Sequence, residues 1–355
     1  MRQPPPLLQH GEHTSPLYEP LPGQAAARAD DPQREAGQGG ILRHFDKRQS
    51  ASRNPAALGW VKATYPDAIE YTSKTASLKG LAFVWACFTP VFVVIGGVML
   101  SAPFGLDGEP LWAVLIIGAM SLLGIGFILF GIWVTAFALR IDFFHLSDQP
   151  ILFDRKHRRV YRLFSEMPSG KLGVFKPWPI RACVYEWDLI DAEHNVESVM
   201  TGATATSNHY LMFAVRKSAD DPTIIDSFQI GNPMDLNEGL TAAMWEHIRR
   251  FMEENGPHLP TPDEPLANQA PPLSWWQGLG ATGMLGPGYW GRWRNQPGTM
   301  LIMHLAGPVT VPMFLLWATG NLLSYKTEIK VDWPQAVKLA VGVPVKPPAA
   351  PFSPA

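Results

Sequence analysis

The cluster Asp154-Arg155-Lys156-His157-Arg158-Arg159 packs four permanent cations into five positions. Such a cluster can hold anionic lipid headgroups, each basic residue near a charged bilayer adding about 1 kcal/mol. Arg155, Lys156, Arg158 and Arg159 are the candidate headgroup contacts, and the competing reading is a solvated hairpin turn. Other chemistry is weakly represented. GLGATG at Gly278–Gly283 fits G-x-G-x-x-G. That fingerprint works only after a strand, before a helix and with an acidic residue about 20 positions on. Here PPLSWWQ precedes it, MLGPGYWG follows, and no Asp or Glu appears between Glu264 and Glu328. Ten histidines and two cysteines show no C-x-x-C, H-x-x-x-H or H-E-x-x-H spacing. Cys87 and Cys183 are not expected to pair, which suits a reducing compartment. Glu186, Asp188 and Asp191 are close in sequence, but on a strand Glu186 and Asp188 share one solvated face. His304, the polar group of an apolar run, reads as bonded to a neighbouring carbonyl or sitting near the interface. There is no G-x-S-x-G elbow and no phosphate loop. No catalytic, cofactor-binding or metal-ligating residue is assigned, and the chain reads as non-enzymatic, the alternative readings being a membrane-tethered lipid-sensing module and a lipid-modifying enzyme.

The elements that must carry these residues are dominated by uncharged runs. Only 17% of the 355 residues are charged, against about 25% in ordinary soluble domains. The net charge of −2 gives no basic excess for nucleic acid. Gly80–Leu100 and Leu111–Leu139 contain no charge, and each exceeds the roughly 20 residues that cross a hydrocarbon core. The loop between them holds Asp107 and Glu109. Lys62, Lys74 and Lys79 precede the pair, and Arg140, Arg155, Lys156, Arg158 and Arg159 follow it. This asymmetry places both flanks in the cytoplasm and the short loop outside. Residues 1–40 lack the apolar core of a signal peptide, so the first span reads as an uncleaved anchor. Ser121, Gly124, Gly131, Thr135 and Ala138 share one helical face, as do Ala82, Ala86, Thr89 and Gly96. Close packing of the two helices on each other is expected. A third uncharged run, Met300–Leu323, is interrupted by Gly307, Pro308 and Pro312 and reads as a further span or an interfacial helix. Trp275, Trp276, Trp290 and Trp293 suit the headgroup level.

Residues 140–260 read as a cytoplasmic α+β domain, mostly antiparallel. Its strand candidates are a hairpin in Pro150–Phe164 and the segments 180–190, 209–217 and 223–231. An amphipathic helix closes it, capped by Asn237, with Leu240, Met244, Ile248, Phe251 and Met252 as its apolar stripe. A pleckstrin-homology-like half-barrel is compatible with that order. The remaining assignments are a disordered tail over 1–56, a juxtamembrane segment over 57–79, a linker with the tryptophans over 261–299 and a Pro-rich tail over 324–355.

Four motifs carry a resemblance: PILFDRKHRRVY (Pro150–Tyr161), YEWDLIDAE (Tyr185–Glu193), WEHIRRFMEENGP (Trp245–Pro257) and KTEIKVDWPQAV (Lys326–Val337). In order and approximate spacing, over about Tyr71–Val343, the chain resembles a family of uncharacterised proteobacterial inner-membrane proteins, a domain of unknown function. Members often lie near type VI secretion effector genes. The resemblance implies a multi-pass inner-membrane accessory or immunity protein whose partner is a secreted effector or a secretion component. It defines no catalytic residue. The longer Pro-rich N-terminus and the Pro-rich end depart from the family pattern.

Overall fold

The computed structural model describes residues 40–72, 79–101, 110–168, 170, 172–201, 204–231, 236–262, 264–267, 272, 274–282 and 284–345. Among them are nine strands in two antiparallel sheets. The strands are β1 Gly40–Phe45, β2 Val61–Thr64, β3 Ala68–Tyr71, β4 Ile151–Asp154, β5 Arg159–Ser165, β6 Ile180–Glu186, β7 Ile190–Thr201, β8 Thr204–Arg216 and β9 Ile224–Ile230. One sheet has the order β1-β7-β8-β9 and the other β2-β3-β4-β5-β6. The expected hairpin is β4–β5, and each of the other candidate segments carries a strand. The chain passes between the sheets at a 3₁₀ turn, Trp187–Leu189.

The first apolar run is two helices, α1 Leu81–Phe88 and α2 Pro90–Ser101. The break falls at Thr89, ahead of a proline that lacks the N–H a continuous helix needs. The second run is one 32-residue helix, α3 Leu111–Asp142. By length and composition both runs are able to cross a membrane. They are packed face to face through their small residues. A Cβ on Gly96 would fall 2.5 Å from the Gly124 carbonyl oxygen, and one on Gly124 would fall 2.8 Å from that of Gly96. Thr89 and Thr135 share a hydrogen bond across the same seam. The outward faces carry exposed Trp85, Val98, Leu115 and Leu122.

This helical hairpin is inserted between β3 and β4, which are hydrogen-bonded neighbours with Tyr71 opposite Ile151 and Ala68 opposite Asp154. The Tyr71/Ile151 end of the sheet therefore meets the helices. The Ala68/Asp154 end lies about 10 Å farther off, at roughly 3.4 Å per residue. At the junction the Asp142 carboxylate accepts the backbone N–H groups of Gly80 (3.0 Å) and Phe83 (2.6 Å), capping α1.

Helix α4, Glu238–Glu253, starts where Asn237 accepts the N–H of Leu240 at 2.9 Å. Its stripe residues Met244, Ile248, Phe251 and Met252, with Trp245, are buried against both sheets in one core. The other face of the five-stranded sheet is covered as well. After three short C-terminal helices, α5 Trp275–Gly278, α6 Tyr289–Asn295 and α7 Pro297–Leu305, the helix α8 Gly307–Thr327 leads back to the domain. The last helix, α9 Gln335–Val341, then packs on that face, where Trp333, Val337 and Val341 join Ala63, Leu152, Tyr161 and Leu163. With both faces covered, β3 and β4 are buried at every residue, the pattern of a central strand rather than an alternating one.

Three expectations change. The tail drawn over 1–56 is too long: Gly40–Phe45 pair with β7, while residues 1–39 lie outside the described residues. The juxtamembrane segment 57–79 contains β2 and β3, two core strands. The tail drawn over 324–355 contains the end of α8 and all of α9, up to Val345, whose N–H donates to the Thr64 carbonyl at 2.7 Å. Residues 346–355 lie outside the described residues. The run Met300–Leu323 is divided between α7 and α8, with a bend of 103° between Pro297–Leu305 and Thr310–Thr327. His304 holds the Met300 carbonyl through Nδ1 at 2.7 Å and Tyr289 through Nε2 at 3.0 Å.

Candidate functional site

The end of the domain remote from the helical hairpin carries a polar cleft of about 410 Å³. Its charged lining comes from five separate segments. Asp46, Lys47 and Arg48 follow β1, Arg158 closes the β4–β5 turn, Asp188 stands in the crossing between the sheets and Asp191 just after it. Arg216 ends β8 and Glu253 ends α4.

The family-like motif Trp245–Glu254 explains why the first of these segments is held in place. The Glu246 carboxylate is fully buried and accepts from Arg249 Nε (2.9 Å) and Nη2 (2.8 Å) and from Arg250 Nε (2.6 Å). It also accepts Ser50 Oγ and the Ala51 N–H, both at 2.9 Å. This clamp fixes the stretch after Lys47 onto α4, and Arg249 further donates to the Lys47 carbonyl at 3.3 Å. Burial pushes the Glu246 carboxyl up, but the arginine and backbone donors outweigh it and hold the pKa down at about 2.

Within the cleft Arg158 is the hub. It adopts φ +52° and donates to Asp188 at 2.6 Å and Glu253 at 3.1 Å. Glu253 also accepts the Trp187 indole N–H at 2.6 Å. Burial would raise the Glu253 carboxyl, yet the bonds from Arg158 and Trp187 bring it below its ordinary value. Arg216 pairs with Asp191 at 2.9 Å and donates to the Asp188 carbonyl at 3.0 Å. Lys47 lies 4.6 Å from the centre of the Trp187 ring and donates to its carbonyl. Burial lowers its pKa to about 8 against the pull of Asp191, Asp188 and Glu253. The lysine is therefore mainly charged at neutral pH. The cleft lining holds fixed charges of both signs side by side. Among the described residues no group of three or more His, Cys, Asp or Glu side chains is placed to hold a metal. This arrangement suits recognition of a polar, charged surface.

Of the four basic candidates, Arg158 belongs to this cleft. Arg155 is engaged with Asp67 at 3.1 Å, with the Gly256 carbonyl at 3.2 Å and with the face of Phe251 at 4.9 Å. Lys156 is exposed and Arg159 half-buried on β5. All four sit at the Asp154 end of β4, the end turned away from the hairpin. The basic cluster and the helical hairpin thus lie at opposite ends of the same strands. Asp188 is likewise not a strand neighbour of Glu186: it stands in the 3₁₀ turn, paired with Arg158. Lys47, Arg216 and Glu253 have no local signal, because they meet only through tertiary structure.

Comparison with curated proteins finds no match, and comparison with solved structures finds none either. A family model does match, over residues 128–342, from the second half of α3 through α9. The chain belongs to the family of unknown function DUF6708.

Proposed function

We propose that this protein is a non-enzymatic recognition module of the bacterial inner membrane, a multi-pass protein whose two-sheet domain is cytoplasmic and binds a protein partner at the distal cleft. One observation carries the reading. An apolar helical hairpin enters the domain between two hydrogen-bonded strands at one end of the sheet, while the charged cleft opens at the other. The bilayer would thus hold the domain with its polar site directed into the cytoplasm. The exposed apolar band of α1–α3 supports insertion, since soluble proteins rarely expose contiguous apolar surface of this kind. The lysine and arginine flanks support the orientation. The pleckstrin-homology-like reading is supported only in outline, by two antiparallel sheets, here of five and four strands, closed by a helix over a shared core. The partner we favour is a secreted type VI effector or a component of its delivery apparatus, in line with the resemblance carried by the four motifs.

The test is co-purification of the full-length protein with the product of the neighbouring effector gene. We expect retention by the wild type and loss with Asp188→Lys combined with Asp191→Lys, two half-exposed carboxylates of the cleft. Equal retention by the double variant would remove the cleft from the reading. No retention by the wild type would remove the partner.

A further inference from the structure

We propose that the β5–β6 loop, in its described residues 166–168, 170 and 172–179, is an additional membrane contact of the domain, an apolar tip that enters the headgroup layer beside α3. The inference rests on the reading of α1–α2 and α3 as membrane-crossing. Strand register sets the direction. Arg159 pairs opposite Asp154 at the distal end, Arg162 opposite Ile151 at the hairpin end, and β5 continues to Ser165. Three more residues carry the strand about 10 Å farther toward the helices, and the loop begins there. Its 3₁₀ turn, Gly173–Phe175, packs against α3, so the loop is continuous with the surface of a membrane helix.

The side chains suit that position. Leu172 is 69% exposed, Phe175 49% and Met167 48%. Beside them Lys176 is exposed. No acidic residue occurs between Met167 and Arg181, and Glu166 is neutralised by Arg181 at 2.9 Å. An apolar tip with a cation beside it, here Lys176, suits an anionic bilayer surface. The tip is also pre-shaped: a Cβ on Gly173 would fall 1.9 Å from the Pro168 carbonyl oxygen. That closeness folds the loop back on itself and leaves Leu172 and Phe175 at its outer edge. The basic turn Arg155–Arg159 occupies the opposite end of the same strands, so the lipid contact belongs to this loop instead.

The test uses the full-length protein with Cys87→Ala and Cys183→Ala, reconstituted in vesicles of zwitterionic and anionic phospholipid. An environment-sensitive fluorophore is attached at Leu172→Cys or at Phe175→Cys, with references at Leu122→Cys in α3 and Lys156→Cys at the distal turn. In the vesicles the Leu172 and Phe175 labels should emit at shorter wavelength than in water and be quenched by lipid carrying a nitroxide near the headgroup, and the Lys156 label should stay unquenched. Unquenched, water-like emission at both loop sites, with the Leu122 label quenched by nitroxide deep in the chains, would overturn the loop contact while leaving the anchor intact. Blue-shifted emission that ignores the lipid nitroxide would assign the tip to a protein contact and also overturn it. An unquenched Leu122 label would overturn the membrane reading and the loop contact together.

Discussion

Glu246 has no exposed surface, yet it is ionised, because two arginines, a serine and a backbone N–H converge on it. A buried charge of this kind is costly to leave alone: removing one partner from such a pair costs about 3–5 kcal/mol. We expect Glu246→Gln to destabilise the domain by that order and to loosen the stretch carrying Lys47, as read by thermal unfolding. The pH dependence follows from the sign. The folded pKa is about 2, below the ordinary 4.5, so between these values the unfolded chain binds the proton more readily. Stability present above about pH 4.5 is lost progressively as the pH falls toward 2, and Glu246→Gln should flatten that acid limb. Glu246 and its neighbours lie in the most recognisable stretch of the sequence. That stretch is accounted for by the clamp and the core, with Trp245 and Ile248 buried beside it. The cleft residues, by contrast, come from positions 46 to 253 and have no spacing to read.

At the scale of elements, the hairpin depends on backbone proximity. A side chain at Gly124 would meet the Gly96 carbonyl oxygen and Met99, whereas one at Gly97 or Gly118 would meet nothing within 4 Å. Gly124→Leu should therefore lower the melting temperature of the detergent-solubilised protein, and Gly97→Leu and Gly118→Leu should leave it near the wild type. Equal effects from all three would contradict the packed seam. The seam was legible because small residues recur at helical spacing in an uncharged run. The β4–β5 hairpin and the Asn237 cap were legible for equally local reasons, a charged turn and a capping side chain. β2 and β3 were not: the two pair with each other, and β3 joins β4 and the rest of the sheet only across the inserted helices. β7 was missed because its sequence, IDAEHNVESVMT, is largely polar. Helix α9 was hidden by the prolines that surround it, although Trp333, Val337 and Val341 complete the second core.

At the scale of the whole molecule, a mean hydropathy near zero conceals two environments joined at one sheet end. The junction is built from contacts among distant segments. Asp142 caps α1, Lys79 pairs with Glu328 at 2.6 Å, and Ser324 donates to the Asp142 carbonyl at 2.7 Å. A side chain on Gly80, which has φ +85°, would strike the Asn321 backbone. These contacts fix the start of α1, the end of α3 and the end of α8 against one another, so α8 is held to the hairpin at several points. The most direct measurement is thiol labelling in intact spheroplasts with a membrane-impermeant maleimide, in a cysteine-free background. Asp107→Cys, in the short loop between the apolar runs, should react from outside, and Asp188→Cys, in the cleft, should react only after permeabilisation. Labelling of Asp188→Cys in intact spheroplasts, or recovery of the chain in the soluble fraction, would contradict the account.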